Sequence, residues 1–223
     1  MCWIFKNGNK KTKECYIVRN LRITMIRHAK TDKVKPDANR RIVPEGESQA
    51  KRRRGLMGNP KFDFVIGSPL ERTWQTARII AGDENIPIVV IPALTINDDD
   101  EDVDVLNGVG DRIGYADLRT YWHQSSDAER IALINLGQRA WEAIVSAVIE
   151  EVGKRHLRAD DDFDVLILGH AILLGFVILA AYNYDDMDAL PPDEMLDIDF
   201  QECEGASFSW SGADCTDMKM LVG

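Results

Sequence analysis

The sequence predicts an α/β fold, a three-layer α/β/α sandwich around a mostly parallel central sheet. Short apolar segments rich in β-branched residues recur along the chain, and segments with helical spacing of apolar residues separate them. Two of the apolar segments end next to a histidine, at His28 and at His170. Because α/β sheets bind ligands outside the carboxyl ends of their strands, we expect a functional site where these two segments end.

The first two predicted strands lie in the N-terminal half of the chain. Residues 21–26 form an apolar run that stops at a charged pair, which is typical of a buried strand followed by a loop. Residues 62–66 form the second strand, which a Gly-Ser-Pro sequence closes. Apolar residues at helical spacing over residues 71–81 then predict the helix that packs behind it.

Three further strands are predicted in the remainder of the chain. Residues 86–91 form the third, between an asparagine and a proline, and residues 163–168 form the fourth, which ends at Gly169. The apolar run over residues 172–182 predicts a buried helix directly after the fourth strand. A weaker strand over residues 207–210 is expected at an edge of the sheet.

A long insertion separates the third and fourth predicted strands. It begins with an acidic loop over residues 97–104, continues through a glycine-containing stretch, and contains a helix from about residue 127 to residue 156. No repeat, linker or low-complexity segment marks a boundary. We therefore interpret residues 1–223 as a single domain, with a cap-like insertion over residues 97–156 and an N-terminal extension over residues 1–20.

The composition restricts the function. A chain of 223 residues with 45% hydrophobic residues can bury a full core without metals or disulfides. A formal net charge of -10 argues against binding to nucleic acid, because a polyanion requires a basic face. The one dense basic run, residues 51–54, is interpreted as a solvated helix face.

The sequence also favours a cytoplasmic location. Four cysteines without a CxxC pair are expected to be reduced thiols rather than a disulfide framework or a zinc site. The longest apolar run, residues 171–181, is shorter than the roughly 20 residues of a membrane span, and no signal peptide is recognisable. We therefore expect no membrane partner, no metal and no cofactor.

Two histidines and two arginines form the candidate site. Arg27 and His28 follow the first strand, Arg72 follows the second, and His170 follows the fourth. An arginine binds phosphate oxygens through its charged planar fork, and a neutral imidazole can attack phosphorus. Taken singly, an arginine can be an ion-pair partner and a histidine a core residue, but the four together favour a site for a tetrahedral phosphate group.

Four sequence segments resemble those of a known family, the histidine phosphatase superfamily, which includes phosphoglycerate mutases and small phosphohistidine phosphatases. In order along the chain, they are Arg27-His-Ala-Lys-Thr31, Val43-Pro-Glu-Gly-Glu-Ser-Gln-Ala50, Gly67-Ser-Pro-Leu-Glu-Arg-Thr-Trp-Gln-Thr-Ala77 and Leu168-Gly-His-Ala171. The resemblance covers residues 21 to about 184. It implies a phosphoglycerate mutase-like fold and a phosphoric monoester hydrolase that needs no cofactor.

The resemblance also implies roles for individual residues. His28 corresponds to the nucleophile that becomes phosphorylated, and Arg27, Arg72 and His170 correspond to residues that bind the phosphoryl group. Thr31 and Ser68 are expected to assist in phosphate binding.

The sequence departs from the family pattern at several positions. Ala29 and Lys30 replace the usual glycine and acidic residue, which is the RHAK variant of the smaller phosphatases. Val34 stands where an asparagine is often found, and Ile96 where a glutamate serves as the general acid. These replacements favour a phosphatase over a mutase.

The general acid therefore has no clear candidate. The nearest carboxylates lie on the acidic loop, and Asp98, Asp99 and Asp100 are the candidates among them, together with their neighbours Glu101, Asp102 and Asp104. Mutual repulsion would raise the pKa of some of these groups. The same loop can equally be a solvated surface. A third possibility is that no acid is needed, as when the leaving group is a nitrogen base.

Three functions remain open from the sequence. The preferred one is a phosphatase that hydrolyses a phosphomonoester or a phosphoramidate, carried by a small molecule or a protein, through a phosphohistidine at His28. The second is a phosphotransferase of the phosphoglycerate mutase type. The third is a non-catalytic phosphate-binding or regulatory protein.

Overall fold

Six strands form a single sheet in the computed structural model, which describes residues 20–95, 100–114, 116–154, 162–182, 193–211 and 215–223. In chain order the strands are β1 (Asn20–Arg27), β2 (Phe64–Gly67), β3 (Ile88–Val90), β4 (Asp162–Gly169), β5 (Gly205–Trp210) and β6 (Cys215–Leu221). Their order across the sheet is β3-β2-β4-β1-β5-β6. All five predicted strands are present, with shifts of up to two residues at their ends.

The sheet is mostly parallel, as the sequence predicts. β1 and β2 both pair in parallel with β4, and β3 pairs in parallel with β2. In this register Arg27 lies opposite Gly169, and Gly67 lies opposite Leu168. The carboxyl ends of β1, β2 and β4 therefore meet at one edge of the sheet. Arg27, predicted to follow the first strand, is the last residue of β1, and the other candidate residues follow the strands.

The predicted edge position of the last strand is wrong. β5 lies between β1 and β6 and pairs antiparallel with both. The true edge strand, β6, was not predicted, because none of its residues is buried and its sequence lacks the apolar alternation of a core strand.

Helices cover both faces of the sheet and complete the predicted three-layer sandwich. They are α1 (Pro44–Leu56), α2 (Glu71–Ala81), α3 (Glu101–Ile113), α4 (Leu118–Gln124), α5 (Asp127–Lys154), α6 (Ala171–Ala181) and α7 (Asp193–Leu196). Alternate residues of β4 belong to different cores: Val165 and Ile167 pack with α3, α5 and α6, whereas Leu166 and Leu168 pack with α1 and α2. None of the described helices is long and apolar enough to cross a membrane.

The acidic loop is shorter than predicted. A helix begins at Glu101, so residues 101–104 form its first turn rather than a loop, and residues 96–99 lie outside the described residues. Acidic side chains stabilise a helix in its first turn because they oppose the positive end of the helix dipole. The charge run that suggested a loop is therefore also consistent with a helix N-terminus.

The long helix of the insertion packs on the main core. α5 lies against α6, and the two backbones are so close that a Cβ at Gly137 would collide with the carbonyl group of Phe176. Ala140 and Ile144 of α5 are fully buried in the same cluster as Phe176. Its predicted end at residue 156 lies outside the described residues, which stop at Lys154 before β4 begins.

The basic run of α1 is not uniformly solvated as predicted. Arg52 is exposed, but Arg53 is only 5% exposed and faces the interior. Periodicity did not predict this, because a charged residue counts as polar at any position of the helix.

Candidate active site

Two histidine rings meet at the carboxyl ends of the two central strands. His28 directly follows β1, and His170 directly follows β4. The backbone N–H of His28 donates to the carbonyl of Gly169 over 3.2 Å, which extends the pairing of the two strands by one residue. The two imidazole rings lie edge to face, with their centroids 5.2 Å apart. The residues that the sequence places at separate strand ends therefore converge.

A hydrogen bond fixes the tautomer of His28. Its Nδ1 lies 2.8 Å from the carbonyl oxygen of Ala29. A carbonyl oxygen only accepts, so Nδ1 must carry the proton and donate it. In the neutral ring the lone pair is then on Nε2, which is the form a nitrogen nucleophile requires.

The loop that carries His28 is held by side chains from α1 and α2. Thr76 Oγ1 accepts the N–H of Ala29 over 3.0 Å, and Gln49 Oε1 accepts the N–H of Lys30 over 3.0 Å. The carbonyl of Lys30 accepts the N–H of Val43 over 3.1 Å. These bonds satisfy the backbone of an irregular loop that is partly buried, and they fix its course next to the strand end.

A glycine allows this loop to approach α1 closely. A Cβ at Gly46 would collide with the carbonyl oxygen of Lys30. Gly46 and Gln49 belong to the second of the four sequence segments, and Thr76 belongs to the third. Residues of both segments therefore help to hold the loop of His28 in place.

The two arginines reach the site from different elements. Arg27 is partly buried, and its Nη1 donates to the carbonyl of Phe200 over 2.8 Å. Arg72 lies in the first turn of α2 and is 4% exposed, so its guanidinium is held inside the protein at the carboxyl edge of the sheet. Its carbonyl accepts a hydrogen bond from Thr76 Oγ1 over 2.7 Å, so one threonine links α2 to the loop of His28.

His170 is buried in a positively charged environment. It is 7% exposed, and among the described residues its Nε2 has no hydrogen-bond partner. Burial, followed by the positive charges of His28, Arg72 and Arg27, holds the pKa of His170 well below its usual value. These three groups are thus close enough to act on the same imidazole, and a buried nitrogen without a partner suits the binding of an anionic ligand.

Comparison with known proteins identifies the family. The sequence model of the histidine phosphatase superfamily (branch 1) matches residues 23–191, which is more than half of the chain. The chain belongs to the histidine phosphatase superfamily. The match confirms the resemblance of the four sequence segments.

A curated relative matches only part of this superfamily member. An adenosylcobalamin/alpha-ribazole phosphatase from Escherichia coli is 32% identical over 79 residues, which are 33% of this chain and 39% of that protein. The alignment thus spans less than half the length of this curated relative.

Solved structures show the same fold. A phosphoglycerate mutase from Bacillus anthracis has a TM-score of 0.58 at 13% identity, over 90% of this chain and 92% of its own. A phosphoserine phosphatase from Entamoeba histolytica, in complex with 3-phosphoglyceric acid, has a TM-score of 0.58 at 15% identity, over 91% and 98%. At these identities the comparison shows a phosphoglycerate mutase-like fold.

The two residues expected to assist phosphate binding have different surroundings in this member of the superfamily. Ser68 is fully buried, and its hydroxyl accepts the N–H of Leu70 and lies 3.3 Å from the hydroxyl of Thr73. These contacts shape the turn that leads into α2 and Arg72. Thr31 is partly exposed and forms an isolated β-bridge with Ile42. Their part in phosphate binding stays a prediction.

One of the three predicted acid candidates, Asp100, lies within the described residues. Asp98 and Asp99 lie outside the described residues. The carboxylate of Asp100 accepts the N–H of Asp102 at the start of α3 and forms an ion pair with Arg139 over 2.9 Å. A second ion pair joins Arg139 to Asp102. These contacts favour a structural role for Asp100 in joining α3 to α5.

No cluster of three or more histidine, cysteine or acidic side chains that could hold a metal occurs within the described part of the chain. His123, which has no motif context, is exposed on α4.

Sequence reasoning missed the residues that hold the loop of His28, although Gln49 and Thr76 were visible inside the family segments.

Proposed function

We propose that the chain is a phosphatase that hydrolyses a phosphomonoester or a phosphoramidate through a phosphohistidine at His28. The observation that carries the proposal is the hydrogen bond from His28 Nδ1 to the carbonyl of Ala29, next to His170 and the two arginines. This bond leaves Nε2 as the unprotonated nitrogen of a neutral ring. It thereby supports nucleophilic catalysis rather than simple anion binding.

In the first step, the lone pair of His28 Nε2 attacks phosphorus while the bond from phosphorus to the leaving group breaks. The imidazole becomes positively charged as the nitrogen–phosphorus bond forms, and the proton on Nδ1 stays hydrogen-bonded to the Ala29 carbonyl. That carbonyl stabilises the developing charge and keeps the ring in line. In the second step, water attacks the phosphorus and the bond from phosphorus to Nε2 breaks. Both protons of the water leave with the phosphate, and His28 is neutral again with its proton still on Nδ1.

The transition state places negative charge on three equatorial oxygens of the phosphoryl group. Arg27 and Arg72 can donate to two of these oxygens, and neutral His170 can donate to the third in the tautomer that carries its proton on Nε2. Because all of these groups are fixed before the substrate binds, little reorganisation is needed during the reaction.

The chemistry of the leaving group determines whether it needs a proton from a general acid. An alkoxide requires a proton as it departs, whereas a p-nitrophenolate does not, and neither does a phosphorylated imidazole whose other ring nitrogen already carries a proton. Asp100 is engaged with Arg139, which leaves Asp98 and Asp99 as the candidate acids for alkyl phosphates. Aryl phosphates, and phosphoramidates whose leaving nitrogen base is already protonated, are therefore the substrates for which the described site is sufficient.

A mutase is less well supported. Its small carboxylated substrate needs additional polar contacts, whereas Val34 presents an apolar side chain that is 50% exposed at a position where the family often has asparagine. A non-catalytic role is also disfavoured, because binding alone would not require the tautomer that His28 adopts.

Hydrolysis of p-nitrophenyl phosphate tests the proposal. We expect turnover by the wild-type chain and its loss, by at least about a thousandfold, in His28→Ala, since this variant lacks the nitrogen that forms the proposed covalent intermediate. His123→Ala is the matched control, because it removes an exposed histidine from α4 and should leave the rate unchanged. Retained turnover in His28→Ala would overturn the assignment of the nucleophile. In a separate assay of the wild-type chain, conversion of 3-phosphoglycerate to 2-phosphoglycerate without net hydrolysis would favour a mutase.

A further inference from the structure

A short turn before β5, residues 200–204, contacts Arg27 at three points. The Nη1 of Arg27 donates to the carbonyl of Phe200 over 2.8 Å, and its backbone N–H donates to the carbonyl of Glu204 over 2.9 Å. The carbonyl of Arg27 accepts the N–H of Cys203 over 3.2 Å. The 200–204 turn therefore fixes both the backbone and the guanidinium of this arginine.

The conformation of the turn is not one that its own residues favour. Cys203 has a φ of +62°, in the left-handed region, which costs a residue other than glycine about 1 kcal/mol. The N–H of Glu204 donates to the carbonyl of Gln201 over 3.0 Å and closes the turn. One such bond offsets little more than the cost at Cys203, so contacts from elsewhere must hold the turn in place.

Arg53 of α1 supplies such a contact from the interior. Its Nε donates to the carbonyl of Cys203 over 2.6 Å, and its Nη2 donates to the carbonyl of Gly223 over 3.3 Å. Burial lowers the pKa of Arg53, and the charge of Glu204 opposes this effect. An arginine stays protonated in such a setting, so a buried positive charge is bonded directly to the turn.

Neighbouring contacts tie the same turn to the end of β6. The carboxylate of Glu204 accepts the N–H of Gly223 over 2.9 Å and the N–H of Gln201 over 3.2 Å. Arg53 thus joins two segments, the turn and the residues after β6, that also contact each other. An apolar side chain at position 53 could fill the space, but it could not bond the Cys203 carbonyl.

We infer that Arg53 is a positioning residue for the phosphate site: it fixes the 200–204 turn, and the turn fixes Arg27. The inference rests on the proposed function in one respect, namely that Arg27 binds phosphoryl oxygens. A guanidinium that is held in place before the ligand arrives loses less freedom on binding, and a displaced one loses part of its contact. Arg53 therefore acts on the phosphate through Arg27.

Hydrogen exchange of the full chain tests whether Arg53 holds the turn. The amides of Arg27 and Cys203 are the reporters, because both donate across the contact between the turn and β1. We expect their exchange to be about tenfold faster in Arg53→Met than in the wild type. Arg52→Met, which removes the exposed neighbouring charge, is the matched control and should change neither amide. Unchanged exchange in Arg53→Met would overturn the inference.

Binding of tungstate, an analogue of phosphate, tests whether the turn acts through Arg27. Calorimetry should show affinity reduced about tenfold by Arg53→Met, and almost no further reduction when Arg53→Met is added to Arg27→Ala. An equal loss in both backgrounds would show that Arg53 affects the fold in general and would overturn the inference. Arg53→Lys retains one donor and should restore part of the affinity.

The experiments have two further outcomes: a variant that does not fold, and a wild-type chain that neither binds tungstate nor hydrolyses a phosphate ester. If Arg53→Met does not fold, Arg53→Lys carries both measurements, with smaller changes expected in the same direction and no change contradicting the inference. If the wild-type chain binds no tungstate and hydrolyses no phosphate ester, the proposed function fails. The exchange measurement still decides in that case whether Arg53 holds the turn.

Discussion

The imidazole rings of His28 and His170 lie edge to face with 5.2 Å between their centroids, although 142 residues separate them along the chain. Their proximity follows from the parallel pairing of β1 with β4, in which Arg27 and Gly169 are partners. One histidine is partly exposed and the other is buried among positive charges. This difference in environment suits one ring to attack phosphorus and the other to bind its oxygens.

The buried histidine should make stability depend on pH. The ordinary pKa of a histidine is 6.5, and the pKa of His170 is lowered in the folded state. Below pH 6.5 the unfolded chain therefore binds more protons than the folded chain does. Stability from this group is therefore fully present above pH 6.5 and is lost as the pH falls, by up to about 1.4 kcal/mol per pH unit.

His170→Gln, which cannot titrate, should have a flatter profile of unfolding free energy between about pH 5 and 6.5 than the wild type. Urea unfolding at several pH values measures it. His123→Gln is the matched control, because it replaces an exposed histidine by the same residue. Parallel profiles for the wild type and His170→Gln would contradict the assignment of a depressed pKa.

Gly46 should be essential for the position of the loop that carries His28. Gly46→Ala places a Cβ against the carbonyl oxygen of Lys30, so either the loop or α1 must move. We expect a fall in kcat for p-nitrophenyl phosphate of about a hundredfold, because a small displacement of a nucleophile is costly.

Gly55→Ala provides a control within the same helix. A Cβ at Gly55 meets no atom within 4 Å, so this change should leave kcat unchanged and stabilise the protein by up to about 1 kcal/mol. Similar kinetics for the two variants would argue against a tight contact between α1 and the loop.

Thr76 should affect catalysis through its hydroxyl. In Thr76→Val the N–H of Ala29 loses its acceptor, which we expect to cost about 1 to 3 kcal/mol of stability and to lower kcat about tenfold. Thr76→Ser keeps the oxygen and should recover most of the lost rate. Thermal unfolding and steady-state kinetics of the pair measure both effects, and equal rates for the two variants would exclude a role for the hydroxyl.

Asp100 should prove to be structural. In Asp100→Asn the side chain can still cap α3, and the ion pair that is lost with Arg139 is partly exposed and worth at most about 1 kcal/mol. We expect the ratio of alkyl to aryl phosphate hydrolysis to stay at its wild-type value.

The double variant Asp98→Asn with Asp99→Asn should lower that ratio if either residue protonates the leaving group. A lower ratio in Asp100→Asn alone would contradict the structural role, and an unchanged ratio in the double variant would indicate that the enzyme needs no acid from this segment.

The sequence predicted the central part of the fold because apolar strand patterns carry it. β2 and β4 are nearly continuous buried runs and β1 buries its apolar residues, and the carboxyl ends of the three strands bring Arg27, Arg72 and His170 to one edge. β6 has no buried residue and therefore lacks the apolar pattern on which the prediction depended. α3 does bury Val103, Leu106 and Val109 at helical spacing, but it begins inside a run of acidic residues that was interpreted as a loop.

The contacts that support the site could not be predicted from the sequence, because they join residues that lie far apart along the chain. Arg53 and Cys203 are 150 residues apart, and neither has a local pattern that points to the other. A polar residue inside a helix is expected to be exposed, and only the fold shows that the same face of α1 packs on the turn beside Arg27.

The phosphoenzyme is the most direct test of the central claim. The wild-type chain would be mixed with p-nitrophenyl phosphate labelled with ³²P, quenched within milliseconds, and analysed for label that is lost in acid but retained in base. We predict such label on the wild type and on His123→Ala, its location at His28 by mass spectrometry, and its absence from His28→Ala. Label on a serine, or the same label on His28→Ala, would contradict the proposal that His28 is the nucleophile.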